Sequence, residues 1–230
     1  MEKIGVLGSG AMGSGIAQVA AKAGHEVVVC DKNNLALNKS GKNIQNNLRT
    51  LVEKHKISDA EAYAIFSRLQ FSEHMSNFKD CSFVIEAIVE DTEQKQIAFK
   101  SMEAVLDPHA VLASNTSSLS ISAMGAFLKN PDRVLGVHFF NPATLMRLVE
   151  IIPGVQTAPD VVQKAKTLIE SWGKITVIAK DTPGFIVNRV ARPYYGEALR
   201  IFEEGIADFA TIDWAMRELG GFRMGPFELM

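Results

Sequence analysis

Short runs of apolar residues alternate along most of the chain with longer segments in which apolar residues recur every three or four positions. Residues 4–7 form the first apolar run and predict a buried strand, and the pattern over residues 11–23 predicts a helix that Gly24 ends. The same alternation continues to residue 178. It favours an α/β fold of the Rossmann type, with a doubly wound, mostly parallel sheet.

The individual elements follow from this pattern in chain order. Strands are predicted over residues 4–7, 26–30, 69–71, 83–87, 111–114, 134–138, 148–152 and 175–178, and helices over residues 11–23, 34–56, 58–68, 92–105, 120–127 and 159–172. After Lys180 only two helices are predicted, over residues 185–204, with a disturbance at Pro193, and 208–219. We therefore expect a sheet domain over residues 1–180 and a smaller, all-helical domain over residues 181–230.

The turn between the first predicted strand and helix contains Gly8, Gly10 and Gly13 in the spacing G-x-G-x-x-G. This spacing suits a backbone that approaches a pyrophosphate at a helix N-terminus. Asp31 follows the second strand, 23 residues after Gly8, where an acidic side chain accepts hydrogen bonds from a ribose. The combination predicts a dinucleotide site. Because Asp31 repels a 2′-phosphate, NAD is favoured over NADP, although the adjacent Lys32 would weaken that preference.

The overall composition argues against several classes of function. Of the 230 residues, 47% are hydrophobic, but no apolar run approaches the roughly 20 residues that span a membrane. The net charge is −2, without the basic excess of a nucleic-acid-binding protein. Cys30 and Cys81 show no metal-ligand spacing, so we expect packed thiols and no metal site. No secretory signal pattern is visible, and we expect a cytoplasmic location.

The best candidate for acid–base chemistry is a histidine at the end of a predicted strand. His138 ends the strand over residues 134–138, and Glu150 lies 12 residues later in an otherwise apolar strand. An ionised carboxylate in such a strand is costly without a partner. If the two strands pair, Glu150 would hold one nitrogen of the imidazole and the other nitrogen could take a proton. The pattern alone does not distinguish this pair from a structural histidine.

Six short motifs occur along the chain: GSGAMGSGIAQ at 8–18, EAIVE at 86–90, SNTSSL at 114–119, HFFNP at 138–142, PGFIVNR at 183–189 and MGPFEL at 224–229. In this order they resemble the short-chain L-3-hydroxyacyl-CoA dehydrogenase family, which includes 3-hydroxybutyryl-CoA dehydrogenases. Each motif is short, but their combination is highly specific. The resemblance implies an enzyme of the fatty-acid β-oxidation type that uses NAD to oxidise an L-3-hydroxyacyl-CoA reversibly to a 3-ketoacyl-CoA.

The resemblance also implies roles for individual residues. The catalytic residues would be a general base for the 3-hydroxyl, His138, and the carboxylate that orients it, Glu150, together with Ser117 and Asn188, which would hydrogen-bond the substrate. The cofactor-binding residues would be Gly8, Ser9, Gly10, Ala11, Met12, Gly13, Asp31, Glu90, Lys95, Asn115, Ser117 and Asn141. Coenzyme A would contact Asn47 and Lys54 on the basic second helix, where Asn47 replaces the family's usual serine.

The resemblance further implies an assembly. The family's helical domain continues well beyond the last motif, so we expect the C-terminal domain to be incomplete relative to the family. The helix over residues 185–204 would then expose apolar side chains such as Ile201 and Phe202. Pairing with a second copy would cover them, so a homodimer through the helical region is expected. The other expected partner is the acyl-CoA thioester, and neither nucleic acid nor membrane is expected.

Two other interpretations remain open at this point. Dehydrogenases of the 3-hydroxyisobutyrate or 6-phosphogluconate type also begin with a glycine loop that contains Met-Gly, but they use a lysine as the acid–base group. A non-catalytic NAD-binding or structural protein with the same fold is the second alternative. The joint presence of Ser117, His138, Glu150 and Asn188 favours the hydroxyacyl-CoA interpretation over both.

Overall fold

Eight short apolar segments pair into one sheet in a computed structural model that describes residues 1–230. The strands are β1 (Lys3–Leu7), β2 (Glu26–Cys30), β3 (Leu69–Ser72), β4 (Phe83–Glu86), β5 (Val111–Ser114), β6 (Val134–Phe139), β7 (Leu148–Pro153) and β8 (Ile175–Ile178). Their spatial order is β3-β2-β1-β4-β5-β6-β7-β8, and all neighbours are parallel except β6 and β7. The strand order reverses between β1 and β4, so the predicted Rossmann-type, mostly parallel sheet is confirmed.

Helices connect the strands. They are α1 (Ala11–Lys22), α2 (Asn34–Glu53), α3 (Asp59–Ser67), α4 (Thr92–Val105), α5 (Ile121–Gly125) and α6 (Pro159–Ser171), with short 3-10 turns at Met75–Phe78 and Pro131–Arg133 that the pattern did not predict. The second helix ends at Glu53, three residues earlier than predicted, because His55 adopts a φ of +52° in the following turn. None of the helices of the chain is both long and apolar enough to cross a lipid bilayer.

The core lies along the sheet and against its helices. The central strands are nearly continuous apolar runs, and side chains such as Ile4, Val6 and Ile85 have no exposed surface. This is the pattern of a parallel sheet that is covered on both faces. From α1, Ile16 and Ala20 are buried in the same cluster. This packing holds the strands in place, and the candidate site residues lie at the ends of these strands.

The chain divides into two compact units, Met1–Thr182 and Pro183–Met230. The division lies two residues beyond the boundary expected after Lys180. All eight strands belong to the first unit, and the second unit is helical.

The second unit consists of α7 (Val187–Glu203), α8 (Phe209–Glu218) and α9 (Pro226–Leu229), the last of which was not predicted. Helix α7 continues through Pro193, so the expected disturbance does not interrupt it. Phe209 stacks on Phe202 at a ring distance of 3.9 Å and lies 4.3 Å from the ring of Phe227. Phe202 is nevertheless 42% exposed, as expected, whereas Ile201 is only partly exposed.

Candidate active site

The strands β1, β2, β4, β5 and β6 are parallel and end at the same edge of the sheet. Each carries or precedes a residue that the sequence singles out: Gly8 after β1, Asp31 after β2, Glu90 after β4, Asn115 after β5 and His138 near the end of β6. In such sheets, ligands bind at this edge, where the strand order reverses. The strands thus bring most of the predicted site residues to one edge of the first unit.

Two glycines shape the turn between β1 and α1. Gly8 has a φ of +102°, and its N–H donates to the carbonyl of the last residue of β2 at 2.8 Å. A Cβ on Gly13 would lie 1.9 Å from the carbonyl oxygen of Gly8. At Gly10, in contrast, a Cβ would meet no atom within 4 Å, and no side chain caps α1. This open space, with the first-turn amides of Ala11 and Met12, fits the pyrophosphate of a dinucleotide.

Asp31 is held beside the glycine turn by three hydrogen bonds. Its Oδ2 accepts from the backbone N–H and from the hydroxyl of Ser9, each at 2.8 Å, and its Oδ1 accepts from the N–H of Asn33 at 3.0 Å. These bonds fix the carboxylate at the end of β2, where a ribose would lie. The Ser9 hydroxyl is therefore engaged with Asp31, and Lys32 is exposed beside it.

His138 and Glu150 face each other across the antiparallel pair β6 and β7, in which they are register partners. His138 Nδ1 lies 2.7 Å from Glu150 Oε2. The histidine is 6% exposed, and Glu150 has no exposed surface. The ring of Phe140 packs against the imidazole at a centroid distance of 4.5 Å. A carboxylate at one ring nitrogen is the arrangement that orients a histidine for general-base chemistry, and the role of this pair stays a prediction at this point.

Asn115 connects the ends of two strands next to the histidine. Its side-chain Oδ1 accepts from the backbone N–H of Phe139 at 2.8 Å. The backbone N–H of Asn115 donates to the backbone carbonyl of Glu86, also at 2.8 Å. Phe139 directly follows His138 in β6. Asn115, which the family resemblance assigns to the cofactor, thus also fixes the end of the strand that carries the imidazole.

The carboxylate of Glu90 accepts hydrogen bonds from the loop that follows β5. Its Oε1 accepts from the N–H of Ser117 at 2.9 Å and from the hydroxyl of Thr116, and the Ser117 hydroxyl lies 3.4 Å away. Burial would raise the pKa of Glu90, but hydrogen bonds from Thr116 and Ser117 and the nearby charge of Lys95 lower that pKa below its usual value. Glu90 is therefore a carboxylate at neutral pH and holds Ser117 by its backbone.

A buried ion pair lies next to Glu90. The Nζ of Lys95 donates to Glu86 Oε1 at 2.6 Å and lies 3.3 Å from Glu90 Oε2. Glu86 also accepts from the N–H of Ile88 at 2.7 Å and from the hydroxyl of Ser114 at 2.6 Å. Lys95 is 1% exposed and Glu86 is fully buried. The structure thus places Lys95 inside the protein, beside Glu90, and its contact with the cofactor stays a prediction.

The remaining predicted residues stand on separate segments. Asn141 is exposed two residues after the end of β6, and Lys54 is exposed directly after α2. Asn47 is exposed on α2, and its Nδ2 donates to the Oε1 of the buried Gln18 at 3.4 Å. Asn188 lies in the first turn of α7, in the second unit, and its part in the site stays a prediction.

Sequence reasoning missed Glu86 and Thr116 as members of this cluster. The signal for Glu86 was present, because it ends the apolar strand β4 in the same way as Glu150 interrupts β7. A carboxylate in an apolar strand needs a partner, and here the partner is Lys95. Thr116 gives no such signal, since a hydroxyl in a loop is satisfied by water as readily as by Glu90.

Comparison with known proteins assigns both units. Residues 3–182 match the family model described as 3-hydroxyacyl-CoA dehydrogenase, NAD binding domain, and residues 184–230 match its counterpart, 3-hydroxyacyl-CoA dehydrogenase, C-terminal domain. The 3-hydroxyadipyl-CoA dehydrogenase of Escherichia coli is 44% identical over 100% of this chain and 48% of its own length. A probable 3-hydroxybutyryl-CoA dehydrogenase of Deinococcus radiodurans is 39% identical over 99% of this chain and 81% of its own.

A solved structure agrees with the sequence comparison. The crystal structure of a 3-hydroxybutyryl-CoA dehydrogenase from Escherichia coli matches with a TM-score of 0.97 at 44% identity, over 99% of this chain and 48% of that one. The chain therefore spans about half the length of the Escherichia coli proteins that it matches.

The family model over residues 3–182 is that of an NAD-binding domain, so the cofactor is NAD. That the glycine turn and Asp31 hold it stays a prediction. The match also argues against a dehydrogenase of the 3-hydroxyisobutyrate type. Such enzymes use a lysine as the acid–base group, whereas this site contains the His138–Glu150 pair. The resemblance indicated by the six motifs is confirmed. Since one family accounts for both units, the chain belongs to the 3-hydroxyacyl-CoA dehydrogenase family.

Proposed function

We propose that the protein catalyses the NAD-dependent, reversible oxidation of an L-3-hydroxyacyl-CoA to a 3-ketoacyl-CoA. The observation that carries this proposal is the 2.7 Å contact between His138 Nδ1 and Glu150 Oε2, at the edge of the sheet that also carries the NAD-binding turn. The names of the relatives, 3-hydroxyadipyl-CoA and 3-hydroxybutyryl-CoA dehydrogenase, support a CoA thioester with a short acyl chain as the substrate.

The reaction determines the roles of NAD, His138 and Glu150. Oxidation of the alcohol removes a hydride from C3 and a proton from the 3-hydroxyl. NAD, when bound, supplies the hydride acceptor. His138 takes the hydroxyl proton through Nε2, while Glu150 holds the ring in the required orientation. A positioned general base contributes roughly 10²–10⁴-fold to the rate of such a step. In the reverse direction, the protonated His138 returns the proton to the 3-oxygen.

The remaining predicted residues position the substrate and the cofactor. Ser117 and Asn188 hydrogen-bond the reacting end of the thioester, and the backbone of Ser117 is held by Glu90. Asn141 contributes to the nicotinamide side. The exposed ammonium of Lys54, directly after α2, suits a phosphate of coenzyme A, and Asn47 lies two turns earlier on α2.

A homodimer formed through the second unit is part of the proposal. That unit carries several large apolar side chains on its surface, among them Val190 at 72%, Ile206 at 68% and Trp214 at 51% exposure. Apolar surface of this kind is typically covered by a partner. A second copy of the chain is the simplest partner, because closed two-fold assemblies are the commonest oligomers.

We also propose a cytoplasmic location. Cys30 and Cys81 are buried free thiols, and burial raises the pKa of Cys30 to about 11 and that of Cys81 to about 12. Such thiols are unreactive packing groups, which suits a reducing compartment.

The direct test is a spectrophotometric assay of NADH oxidation with acetoacetyl-CoA and with longer 3-ketoacyl-CoA thioesters, repeated with NADPH. Free acetoacetate is the matched control, because it presents the same ketone without coenzyme A. We expect turnover of the thioesters with NADH, slower turnover with NADPH and none of the free acid. Absence of thioester turnover in a folded protein that binds NADH would contradict the proposal and favour a non-catalytic NAD-binding protein.

A further inference from the structure

Lys174 lies in the short turn between α6 and β8, at the edge of the sheet where β6 ends. Its ammonium donates to the backbone carbonyl of Ala143 at 2.5 Å and to that of Met146 at 2.8 Å. Both carbonyls belong to the β6–β7 loop, residues 140–147, which connects the two strands of the proposed acid–base pair. A side chain from a later segment of the chain therefore holds the loop that follows the proposed base.

The outer part of the β6–β7 loop is exposed. Leu145 is 73% exposed and Met146 is 43% exposed, so their side chains contribute little packing. Their N–H groups both donate to the carbonyl of Pro142 at 3.0 Å, which closes a turn. Lys174 supplies a charged donor to the end of this turn, as basic side chains do at the last carbonyls of a helix.

The inner side of the loop packs against α1, the helix that follows the glycine turn. Ala143 is only 2% exposed, and a Cβ on Gly15 would lie 3.1 Å from the Cβ of Ala143. The glycine therefore allows the loop to approach the backbone of α1 closely. Since Lys174 holds the carbonyl of Ala143, the loop lies between the ammonium and the helix whose N-terminus is expected to bind the pyrophosphate.

The ammonium of Lys174 is kept in this position at an energetic cost. Burial and, to a smaller extent, the charge of Lys22 lower the pKa of Lys174 below its usual value. A lysine without a structural role would extend its ammonium into water instead. The neighbouring Trp172 stacks on Phe139, the last residue of β6, at a ring distance of 6.2 Å. The turn over residues 172–174 thus supports both the end of β6 and the loop that follows it.

We propose that Lys174 is a positioning residue for the oxidation at C3. It holds the β6–β7 loop against α1 and so sets the distance between the imidazole of His138 and the dinucleotide expected at α1. Removal of a hydride and a proton from one alcohol needs both acceptors at fixed distances, and a displacement of about 1 Å can lower the rate about 100-fold. The catalytic consequence rests on the proposed function, whereas the holding of the loop does not.

One variant and a matched control test this role. Lys174→Met removes the ammonium and keeps a long, flexible side chain, and it is expected to fold because Lys174 is only partly buried. Arg68→Met is the control, because Arg68 is also partly buried and donates to a backbone carbonyl, that of Ala21 in α1, at 3.0 Å. Arg68 directly precedes β3, at the opposite edge of the sheet from His138. An effect of equal size in both variants would therefore report a general loss of stability.

The first measurement needs neither substrate nor cofactor. Amide exchange of Leu145 and Met146 in the ligand-free protein should accelerate about tenfold or more in Lys174→Met, since the turn loses two hydrogen bonds from a charged donor. In Arg68→Met the exchange of the same two amides should stay within about twofold of the wild type. Because no ligand is present, a direct contact of Lys174 with substrate or cofactor would not produce this result.

The second measurement reports the reaction. With acetoacetyl-CoA and NADH both saturating, we expect kcat of Lys174→Met to fall about 10- to 100-fold and kcat of Arg68→Met to change by less than about twofold. Saturation removes any change in the affinity for either ligand from this comparison. The isotope effect on kcat with NADH that is fully deuterated at C4 should be at least as large as in the wild type, because hydride transfer is the step that slows.

Three results would overturn the proposal. Exchange of Leu145 and Met146 that is unchanged in Lys174→Met, or equally accelerated in Arg68→Met, would show that Lys174 does not hold the loop. Accelerated exchange with an unchanged kcat would show that the loop does not position the reaction. A fall in kcat with a smaller isotope effect than in the wild type would place the defect in another step. If the wild-type chain turned over no thioester, the proposed function would fail, but the exchange measurement would still decide whether Lys174 holds the loop.

Discussion

His138 Nδ1 and Glu150 Oε2 are 2.7 Å apart because the two residues lie directly opposite each other in the antiparallel register of β6 and β7. Side chains of opposed residues project from the same face of a sheet and lie close together. A slip of one residue would move Glu150 to the other face of the sheet, so the contact depends on the observed register of β6 and β7. The pair is therefore set by the sheet itself and is oriented before any substrate binds.

Replacing the carboxylate by an amide tests this orientation. Glu150→Gln keeps the side-chain volume and a hydrogen-bond acceptor, so the fold should be retained. Its amide cannot compensate the charge that His138 gains, and we expect kcat to fall about tenfold or more. The measurement is kcat as a function of pH, with circular dichroism to verify folding. An unchanged rate together with an unchanged pH profile would contradict the role of Glu150.

The glycine turn allows a prediction with an internal control. A Cβ on Gly13 would lie 1.9 Å from the carbonyl oxygen of Gly8, so Gly13→Ala forces α1 away from the sheet. We expect the free energy of unfolding to fall by about 1–3 kcal/mol in a denaturant titration.

Gly10→Ala should behave differently, because its Cβ would meet no protein atom within 4 Å. We expect its free energy of unfolding to stay within about 0.5 kcal/mol of the wild type. The methyl group would instead occupy the space in front of the α1 amides, so NADH should bind more weakly in a fluorescence titration. Equal stability of the two alanine variants would contradict the close packing of Gly13, and unchanged NADH binding to Gly10→Ala would contradict the pyrophosphate site.

Asp31 should set the choice between the two nicotinamide dinucleotides. Asp31→Asn removes the negative charge that repels the 2′-phosphate of NADPH. The ratio of kcat/KM for NADH to kcat/KM for NADPH should therefore fall about tenfold, which is the size of the repulsion between two charges a few ångströms apart. Lys32→Met is the converse variant, because it removes a neighbouring exposed cation and should raise the same ratio. A ratio that neither substitution changes would mean that this position does not contact the ribose.

Asp181 provides a prediction for the pH dependence of stability. Its carboxylate accepts from the N–H of Ile121 at 2.9 Å and from the N–H and hydroxyl of Ser122 at 2.8 and 2.6 Å, at the start of α5. Burial would raise the pKa of Asp181, but these bonds and one from Ser120 lower that pKa below its usual value. Asp181→Asn should therefore lower the free energy of unfolding by about 1–3 kcal/mol at neutral pH.

The lowered pKa of Asp181 determines the pH range in which its carboxylate stabilises the fold. A carboxyl whose pKa is lower in the folded than in the unfolded protein stabilises the fold above the unfolded pKa, about 3.9 for aspartate, and this stabilisation is lost as the pH falls through the folded value. The difference between Asp181→Asn and the wild type should thus disappear in acid. Asp160→Asn, at an exposed position in the first turn of α6, is the control. A difference that persists unchanged at low pH would rule out the charged anchor.

The fold was largely predictable because its signals are local. The predicted bounds of β5, β8 and α4 match the observed ones. The alternation of strands and helices also predicted the mostly parallel, doubly wound sheet, although not the order of its strands. The missed features depend on single residues in special conformations or on short turns. The early end of α2 at the left-handed His55 and the four-residue α9 are of this kind.

The site was predictable only where a motif or an isolated charge marked it. Glu150 stands out in an apolar strand, and its register with His138 follows once the strands pair. The burial of Lys95 could not be predicted in this way, because it follows Thr92, Glu93 and Gln94 at the start of α4 and resembles an exposed helix position. Its environment is created by carboxylates from other segments, a tertiary effect that helix periodicity does not contain.

The role of His138 as the base is tested most directly by two measurements on His138→Ala. They are its rate of NADH oxidation with acetoacetyl-CoA and its affinity for NADH. His109→Ala is the control, because His109 is exposed in the loop before β5, at the opposite edge of the sheet. We predict that His138→Ala lowers kcat by about 10²–10⁴-fold, that NADH affinity is retained, and that the control is unaffected. A His138→Ala variant that turns over the thioester at nearly the wild-type rate would contradict the account.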